Sequence, residues 1–143
     1  MDIQNPKQLE AILKKKVASA LLIDVANTTK NTMKEKMDDE VYIPYTPKMY
    51  EREKSHGGLT DDRNILVNLI NETTLSVESH RMDEERNVSE IVESGKGYQY
   101  DFPFNGVPRP FTEATREELL NTGIHTASLY RGLKRQGLTV EVK

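Results

Sequence analysis

The chain has 143 residues, of which 36% are apolar and 30% are charged. This length suits one domain spanning residues 1–143 and leaves little room for a multidomain enzyme. The chain contains no Cys and only three His residues, which excludes disulfide frameworks, thiolate nucleophiles and Cys-based metal centres. We therefore expect a protein that is not an enzyme and that uses no metal or other cofactor.

Targeting signals are also missing from the sequence. The longest apolar run, Ala20–Ile23, falls far short of the roughly 20 residues that a membrane span requires. The polar residues Asp2 and Asn5 open the chain, which does not fit a signal peptide. We expect a protein that is made and used in a cytoplasm and has no membrane partner.

The net charge of −3 is unevenly distributed along the chain. Residues 1–37 carry +3, residues 38–127 carry −9, and residues 128–143 carry +3. A chain with this pattern can bind a second copy of itself as readily as it binds nucleic acid. A set of ordinary solvated surfaces is the simpler interpretation.

The first predicted element is a long helix. Asn5 suits the N-cap and Pro6 suits the first helical position, and apolar residues then recur at steps of three and four. The helix is expected to run to Lys36 or Met37 and to stop before the acids at 38–40, which oppose the helix dipole. Its length of roughly 45 Å exceeds what a lone domain of this size needs, so we expect it to pack against another subunit.

An extended loop is predicted at about residues 41–63, because Pro44 and Pro47 forbid regular helix. Such long loops are often functional or become ordered on assembly. Two strands, Asn64–Ile70 and Thr73–His80, are expected to form a hairpin through Asn71-Glu72. A charged loop at 81–87 and one or more further strands follow, with Tyr98–Phe102 as the clearest of these.

The last predicted elements are a helical region and a short strand. The helix is expected to begin at Phe111 with Thr112 as its cap, to kink at Gly123 and to stop near Gly137. Residues 138–143 alternate as a terminal strand that could pair with another subunit. The fold class is therefore α+β, with a long N-terminal helix, a small and mostly antiparallel sheet, a C-terminal helix and a short terminal strand.

Three blocks of sequence, taken in order, resemble one protein family. They are Tyr45-Thr46-Pro47 leading to Gly57-Gly58-Leu59, then Ile91-Val92-Glu93-Ser94-Gly95, and then Pro108-Arg109-Pro110-Phe111. The family is that of the neck or tail-completion proteins of long-tailed, non-contractile bacteriophages. Its first block typically reads Thr-Gly-x-Leu, whereas this chain has Gly-Gly-Leu after a stretch at 48–56. The stretch Tyr45–Arg52 looks similar to a variant of this block in phages of Gram-positive hosts.

The resemblance implies a structural subunit of a homo-oligomeric ring, six- or twelve-fold with six favoured. Such a ring joins the head-completion or connector protein to the tail tube protein and leaves a channel for DNA. Genomic DNA would pass without sequence-specific binding. The protein would reside in the tail or neck of the virion after assembly in the host cytoplasm. The acidic segment at 81–101 would then suit a channel wall that repels DNA.

The candidate interaction residues come from these three blocks. Glycines are expected to permit turns, Pro110 to stiffen the approach to the last helix, and Phe111 to anchor that helix in the core. Glu93 and Arg109 are candidates for an ion pair within or between subunits. The full set is Tyr45, Pro47, Tyr50, Gly57, Gly58, Leu59, Glu93, Gly95, Arg109, Pro110 and Phe111.

Two other functions compete with the ring subunit. The first is a small nucleic-acid-associated protein that binds the DNA backbone through Lys14, Lys15 and Lys16 together with Lys7. No base-reading motif accompanies these lysines. The second is a metal-dependent nuclease that uses scattered carboxylates. The acidic runs do not follow the spacing of a calcium-binding loop, so solvated loop charge is the better interpretation.

Overall fold

The computed structural model describes residues 5–47, 52 and 54–141. The chain begins with a continuous helical segment in which two π-helical turns alternate with α-helix. The segments are α1 (Pro6–Ala20), a π-turn (Leu21–Val25), α2 (Ala26–Met37) and a second π-turn (Asp38–Tyr42). The predicted start is confirmed, because the side chain of Asn5 accepts a hydrogen bond of 3.0 Å from the backbone N–H of Gln8.

The predicted end of this helix is wrong, because the helical backbone continues through the acids at 38–40. Val41 and Tyr42 at its end are buried in the core. Burying such side chains stabilises the fold by about 1.5–3 kcal/mol each, whereas an acid near a helix C-terminus costs only about 0.3–1 kcal/mol. Lys36 also lies 3.9 Å from the carboxylate of Asp39. Burial therefore decides where the helix ends.

The predicted hairpin is confirmed, and a second and smaller hairpin follows it. Strands β1 (Ile65–Asn71) and β2 (Thr74–Ser79) pair in antiparallel register, with Val67 opposite Val77. The predicted charged loop at 81–87 instead forms β3 (Met82–Asp83) and β4 (Arg86–Asn87), which pair with each other. The sheets are therefore two separate antiparallel ribbons.

The region after the second hairpin differs most from the prediction. Residues Val88–Ser94 form helix α3, which begins where Asn87 accepts a hydrogen bond from the N–H of Glu90 and ends at Gly95. The expected strand at Tyr98–Phe102 is wrong as well. Its aromatic side chains instead pack on one another, and the ring centroids of Tyr98 and Phe102 lie 4.6 Å apart in an edge-to-face arrangement.

The C-terminal region contains two helices, α4 (Phe111–Thr122) and α5 (Ile124–Arg135). The predicted break at Gly123 is confirmed by its φ of +67°. Thr112 is not the N-cap residue of α4. Pro110 occupies the N-cap position, and its side chain makes no hydrogen bond to the helix. The expected terminal strand is wrong for residues 138–141, which form no strand, and residues 142–143 lie outside the described part.

The fold is α+β, with the core at the end of the long helix, where α2 packs on α4 and the first hairpin closes one side. Helix α5 packs on the first π-turn, where Arg135 donates a hydrogen bond of 2.8 Å to Asp24. Gly132 permits this approach, because an added Cβ would lie 2.9 Å from the Cβ of Ala20. No helix in the described residues combines the length and hydropathy needed to cross a membrane. The core residues are Met33, Met37, Val41, Tyr42, Leu59, Ile65, Val92 and Phe111.

Candidate functional site

The Gly57-Gly58-Leu59 block lies against the end of the long helix. The hydroxyl oxygen of Tyr42 accepts a hydrogen bond of 3.1 Å from the N–H of Leu59, whose side chain is buried. The side-chain amide of Asn64 donates to the carbonyls of Gly57 and Gly58 at 3.1 and 2.8 Å. A Cβ at Gly58 would collide with the backbone of Lys54. Burial raises the pKa of the Tyr42 phenol, so this hydroxyl group stays neutral.

Asp61 is the charged centre of this loop. Its carboxylate accepts hydrogen bonds from the N–H of Gly57 at 2.7 Å and from the N–H of Arg63 at 2.9 Å. The guanidinium of Arg63 donates to the same carboxylate at 2.6 Å. These bonds, led by that of the Arg63 side chain, hold the pKa of Asp61 well below its usual value of 3.8. The ionised carboxylate therefore stabilises the folded loop.

Replacing Asp61 with Asn is expected to lower the free energy of unfolding at pH 7 and to flatten its dependence on pH. Because folding depresses the pKa of Asp61, its contribution is complete above pH 3.8 and is lost as the pH falls toward the folded-state pKa. Urea unfolding of Asp61→Asn and the original chain at pH 7 and pH 3 checks this. If the free energies of unfolding of the two proteins differ by the same amount at pH 7 and at pH 3, the role of the ionised carboxylate is contradicted.

The Ile91–Gly95 and Pro108–Phe111 blocks are joined by backbone contacts. Gly95 adopts φ +74° at the end of α3, and a Cβ there would lie 2.5 Å from the carbonyl carbon of Val107. The N–H of Gly106 donates to the Gly95 carbonyl at 2.7 Å, and the N–H of Arg109 donates to the Val92 carbonyl at 3.1 Å. The two blocks that resemble phage neck proteins therefore form one packed unit.

Glu93 and Arg109 do not pair with each other within the chain. The carboxylate of Glu93 accepts a hydrogen bond of 2.9 Å from the N–H of Thr112, so it caps the first turn of α4. Arg109 instead donates to the hydroxyl of Tyr98 at 2.6 Å and lies 4.7 Å from the ring centre of Phe104. A pair between subunits stays a prediction.

A cavity of about 310 Å³ lies between the first and third blocks. It is bounded by the end of the long helix, the Gly57–Leu59 loop, α3 and the aromatic segment at 98–102. Three arginines contribute to its wall, namely Arg52, Arg81 and Arg109. Its remaining lining is mostly aromatic and aliphatic, and no acidic side chain in the described residues lines it. We call this cavity the arginine pocket.

Four of the eleven candidate residues line the arginine pocket, namely Tyr45, Gly58, Leu59 and Arg109. Tyr45 lines the arginine pocket, and its ring lies 5.4 Å from that of Phe102. Phe111 is completely buried, as expected, and Pro110 occupies the position directly before α4. Pro47 is the last residue before a gap in the described chain, and Tyr50 lies outside the described residues.

Sequence reasoning missed Arg81, Tyr98 and Phe102 as members of the site. The alternation of Tyr98, Tyr100 and Phe102 was available as a signal, but it resembles the pattern of a strand. Arg81 has no distinguishing pattern in the sequence. It reaches the site because its guanidinium donates a hydrogen bond of 3.0 Å to the carbonyl of Gly57, which is 24 positions away.

The residues of the competing functions lie elsewhere. Lys14 lies 3.1 Å from the carboxylate of Glu10, and Lys16 donates a hydrogen bond of 2.7 Å to the carbonyl of Gln136. The acids at 83–85 are exposed around the second hairpin. Within residues 5–47, 52 and 54–141, no group of three or more His, Asp or Glu side chains is arranged to hold a metal ion.

Comparison with known proteins gives one match. The YomN family model matches residues 5–135. No curated protein and no solved structure matches the chain. The family match covers far more than half of the sequence and includes all three blocks described above. The chain therefore belongs to the YomN family, a family of phage and prophage proteins.

Proposed function

We propose that the protein is a structural virion protein that forms a ring at the phage head–tail junction and is not an enzyme. The ring would join the head connector to the tail tube and leave a channel for DNA. Six copies are favoured over twelve. Membership of a phage family and the order of the three sequence blocks support this proposal. The protein would be assembled in the host cytoplasm and would remain in the neck of the virion.

The observation that carries the proposal is the uncovered apolar surface of α1. Ala20 is the only residue of this 15-residue helix that is buried. Leu9 and Leu13, which are neighbours on one face, are 42% and 39% exposed. Ile23 in the following π-turn is 57% exposed. A neighbouring subunit that covers this face would bury the remaining exposed surface of these side chains, which adds roughly 0.6–1.7 kcal/mol for each.

The charge distribution supports the same arrangement. The first 37 residues carry +3, and the middle of the chain carries −9. A basic helix that lies on the acidic middle of the next subunit would form a head-to-tail contact, which closes into a ring when the rotation between subunits permits. The exposed acids at 83–85 belong to that middle segment.

The alternative is a protein that binds the DNA backbone through its lysines, and contacts within the chain reduce the positive charge that either DNA or a neighbouring subunit would meet. Lys14 and Lys16 already contact groups of the same chain. Lys30 and Lys34 both pair with Asp62, and Lys36 lies 3.5 Å from Glu118. DNA binding by the purified chain that weakens steeply with added salt would favour this alternative over the ring.

Replacing both Leu9 and Leu13 with Gln is expected to convert assembled rings into monomers while leaving the helical content unchanged. Gln keeps helix propensity but removes the apolar surface that a neighbour would cover. Native mass spectrometry measures the number of copies, and circular dichroism measures the helical content. The matched control is Ile70→Gln, because Ile70 is 69% exposed but lies in β1.

The function itself is tested in a phage that encodes this protein. Removing the gene is expected to produce DNA-filled heads and separate tails, which electron microscopy distinguishes from complete particles. Supplying the original chain should restore joining, and supplying the Leu9 and Leu13 double variant should not. Complete and infectious particles formed without the protein would overturn the proposal.

A further inference from the structure

Arg109 is a buried cation that has no acidic partner among the described residues. It is 6% exposed and lines the arginine pocket. Its guanidinium donates to the Tyr98 hydroxyl at 2.6 Å and makes a long contact of 3.5 Å to the Val41 carbonyl. Its Nε–H is buried and has no hydrogen-bond partner. A guanidinium offers five N–H donors and no acceptor, so the pocket contains a donor that remains unused.

The surroundings of Arg109 compensate this charge only in part. The carbonyl of Val41 lies at the end of the long helix, which carries a partial negative charge. The rings of Phe104 and Phe102 lie 4.7 and 5.6 Å from the guanidinium carbon and add cation–π attraction. Neither supplies the full negative charge that a buried guanidinium normally meets in proteins.

We infer that the arginine pocket binds the carboxylate of an acidic peptide segment from another protein. A carboxylate would accept the unpaired Nε–H of Arg109, which a guanidinium presents in a fixed fork. Arg52 and Arg81 also line this pocket.

The size and lining of the pocket favour a side chain over a free inorganic anion. A volume of about 310 Å³ lies at the small end of the range for ligand sites. It admits one or two side chains and excludes a DNA duplex. The rings of Tyr42, Tyr98 and Phe102 offer apolar contacts. Glutamate carries methylene groups that would meet these rings, whereas phosphate carries none.

This inference depends on the pocket and not on the ring, so the two can fail separately. The test uses the complete chain labelled with ¹⁵N and ¹³C, in which the Nε–H signal of Arg109 is assigned by through-bond correlation to the backbone signals of the same residue. Hexaglutamate peptide and inorganic phosphate are added as probes in separate titrations. Because the chain has a net charge of −3, general attraction of anions to the protein is small.

Hexaglutamate is expected to shift the Arg109 Nε–H signal to saturation and to bind at least about tenfold more tightly than phosphate. Arg109→Lys should weaken hexaglutamate binding by about tenfold or more, because lysine lacks the fork. Arg116→Lys is the matched control and should leave the affinity unchanged, since Arg116 is exposed and pairs with Glu113 outside the pocket.

Each other result overturns the inference. If neither probe shifts the Nε–H signal of Arg109, the pocket does not bind a carboxylate. If phosphate binds as tightly as hexaglutamate, the pocket has no preference for an acidic peptide. Equal weakening by Arg109→Lys and Arg116→Lys indicates attraction by surface charge rather than by the pocket. Because the signal is measured on the original chain, the test holds even if Arg109→Lys fails to fold.

Discussion

Gly95→Ala is expected to lower the free energy of unfolding by about 2–5 kcal/mol. The left-handed conformation at φ +74° costs a non-glycine residue about 1–2 kcal/mol. The added Cβ would also lie 2.5 Å from the carbonyl carbon of Val107, and relieving such crowding typically costs a further 1–3 kcal/mol, roughly estimated. The atom in the way belongs to the backbone, so no side-chain rotation can relieve the contact. Urea unfolding followed by circular dichroism measures the loss.

Gly123→Ala is the matched control for Gly95→Ala. Both glycines follow a helix in the left-handed conformation, and Gly123 has φ +67°. However, nothing lies within 4 Å of a Cβ added at Gly123. We expect Gly123→Ala to cost only the conformational part, about 1–2 kcal/mol. Equal losses for the two variants would contradict the close packing of the Val107 segment on α3.

Phe111→Ala is expected to lower the free energy of unfolding by about 3–5 kcal/mol, the usual cost of removing a buried phenylalanine. Phe111 has no exposed surface and is one of the largest buried side chains in the described core. It joins α4 to the end of the long helix, to Leu59 and to Val92 in one cluster. A loss of this size approaches the whole stability of many small domains. Thermal unfolding measured by calorimetry checks this expectation.

Two further substitutions separate the role of Phe111 from that of the helix it begins. Phe111→Leu keeps most of the apolar volume and is expected to cost clearly less than Phe111→Ala. Leu120→Ala changes a residue of the same helix that is 64% exposed, and we expect an effect within about 0.5 kcal/mol. A large loss for Leu120→Ala or a small loss for Phe111→Ala would show that Phe111 does not anchor α4 in the core.

The Gly95 variant also connects stability to the arginine pocket. Val107 lies two positions before Arg109, and the backbone N–H of Arg109 is bonded to Val92 on α3. A displacement of the Val107 segment would therefore move Arg109 within the pocket. Binding of hexaglutamate is expected to weaken in Gly95→Ala and to persist in Gly123→Ala.

Local sequence signals were sufficient for the elements whose ends depend on neighbouring residues. Asn5 and Pro6 mark the start of the long helix, and the structure confirms that start. The hairpin of β1 and β2 and the break at Gly123 follow from strand alternation and from the freedom of glycine. These features depend on interactions a few positions apart, which a single sequence displays directly.

Other elements were decided by contacts between distant parts of the chain. The long helix passes the acids at 38–40 because Val41 and Tyr42 are buried against the Gly57–Leu59 loop and α4. Residues 88–94 form helix α3, where the sequence predicted no helix, and the first turn of α4 is capped by Glu93, which lies 19 positions before Thr112. For the long helix and for α4 the deciding partner is distant in sequence, so local signals were overruled by burial and by a long-range hydrogen bond.

The sequence by itself determined the α+β class, the three blocks and the uneven charge of this protein. Only the tertiary structure decided that the blocks meet and that Arg109 lies in a pocket rather than in an ion pair with Glu93. Arg109 is 68 positions from Val41, whose carbonyl it approaches. The physical reason is that burial and charge pairing depend on distances in space, which the order of residues does not contain.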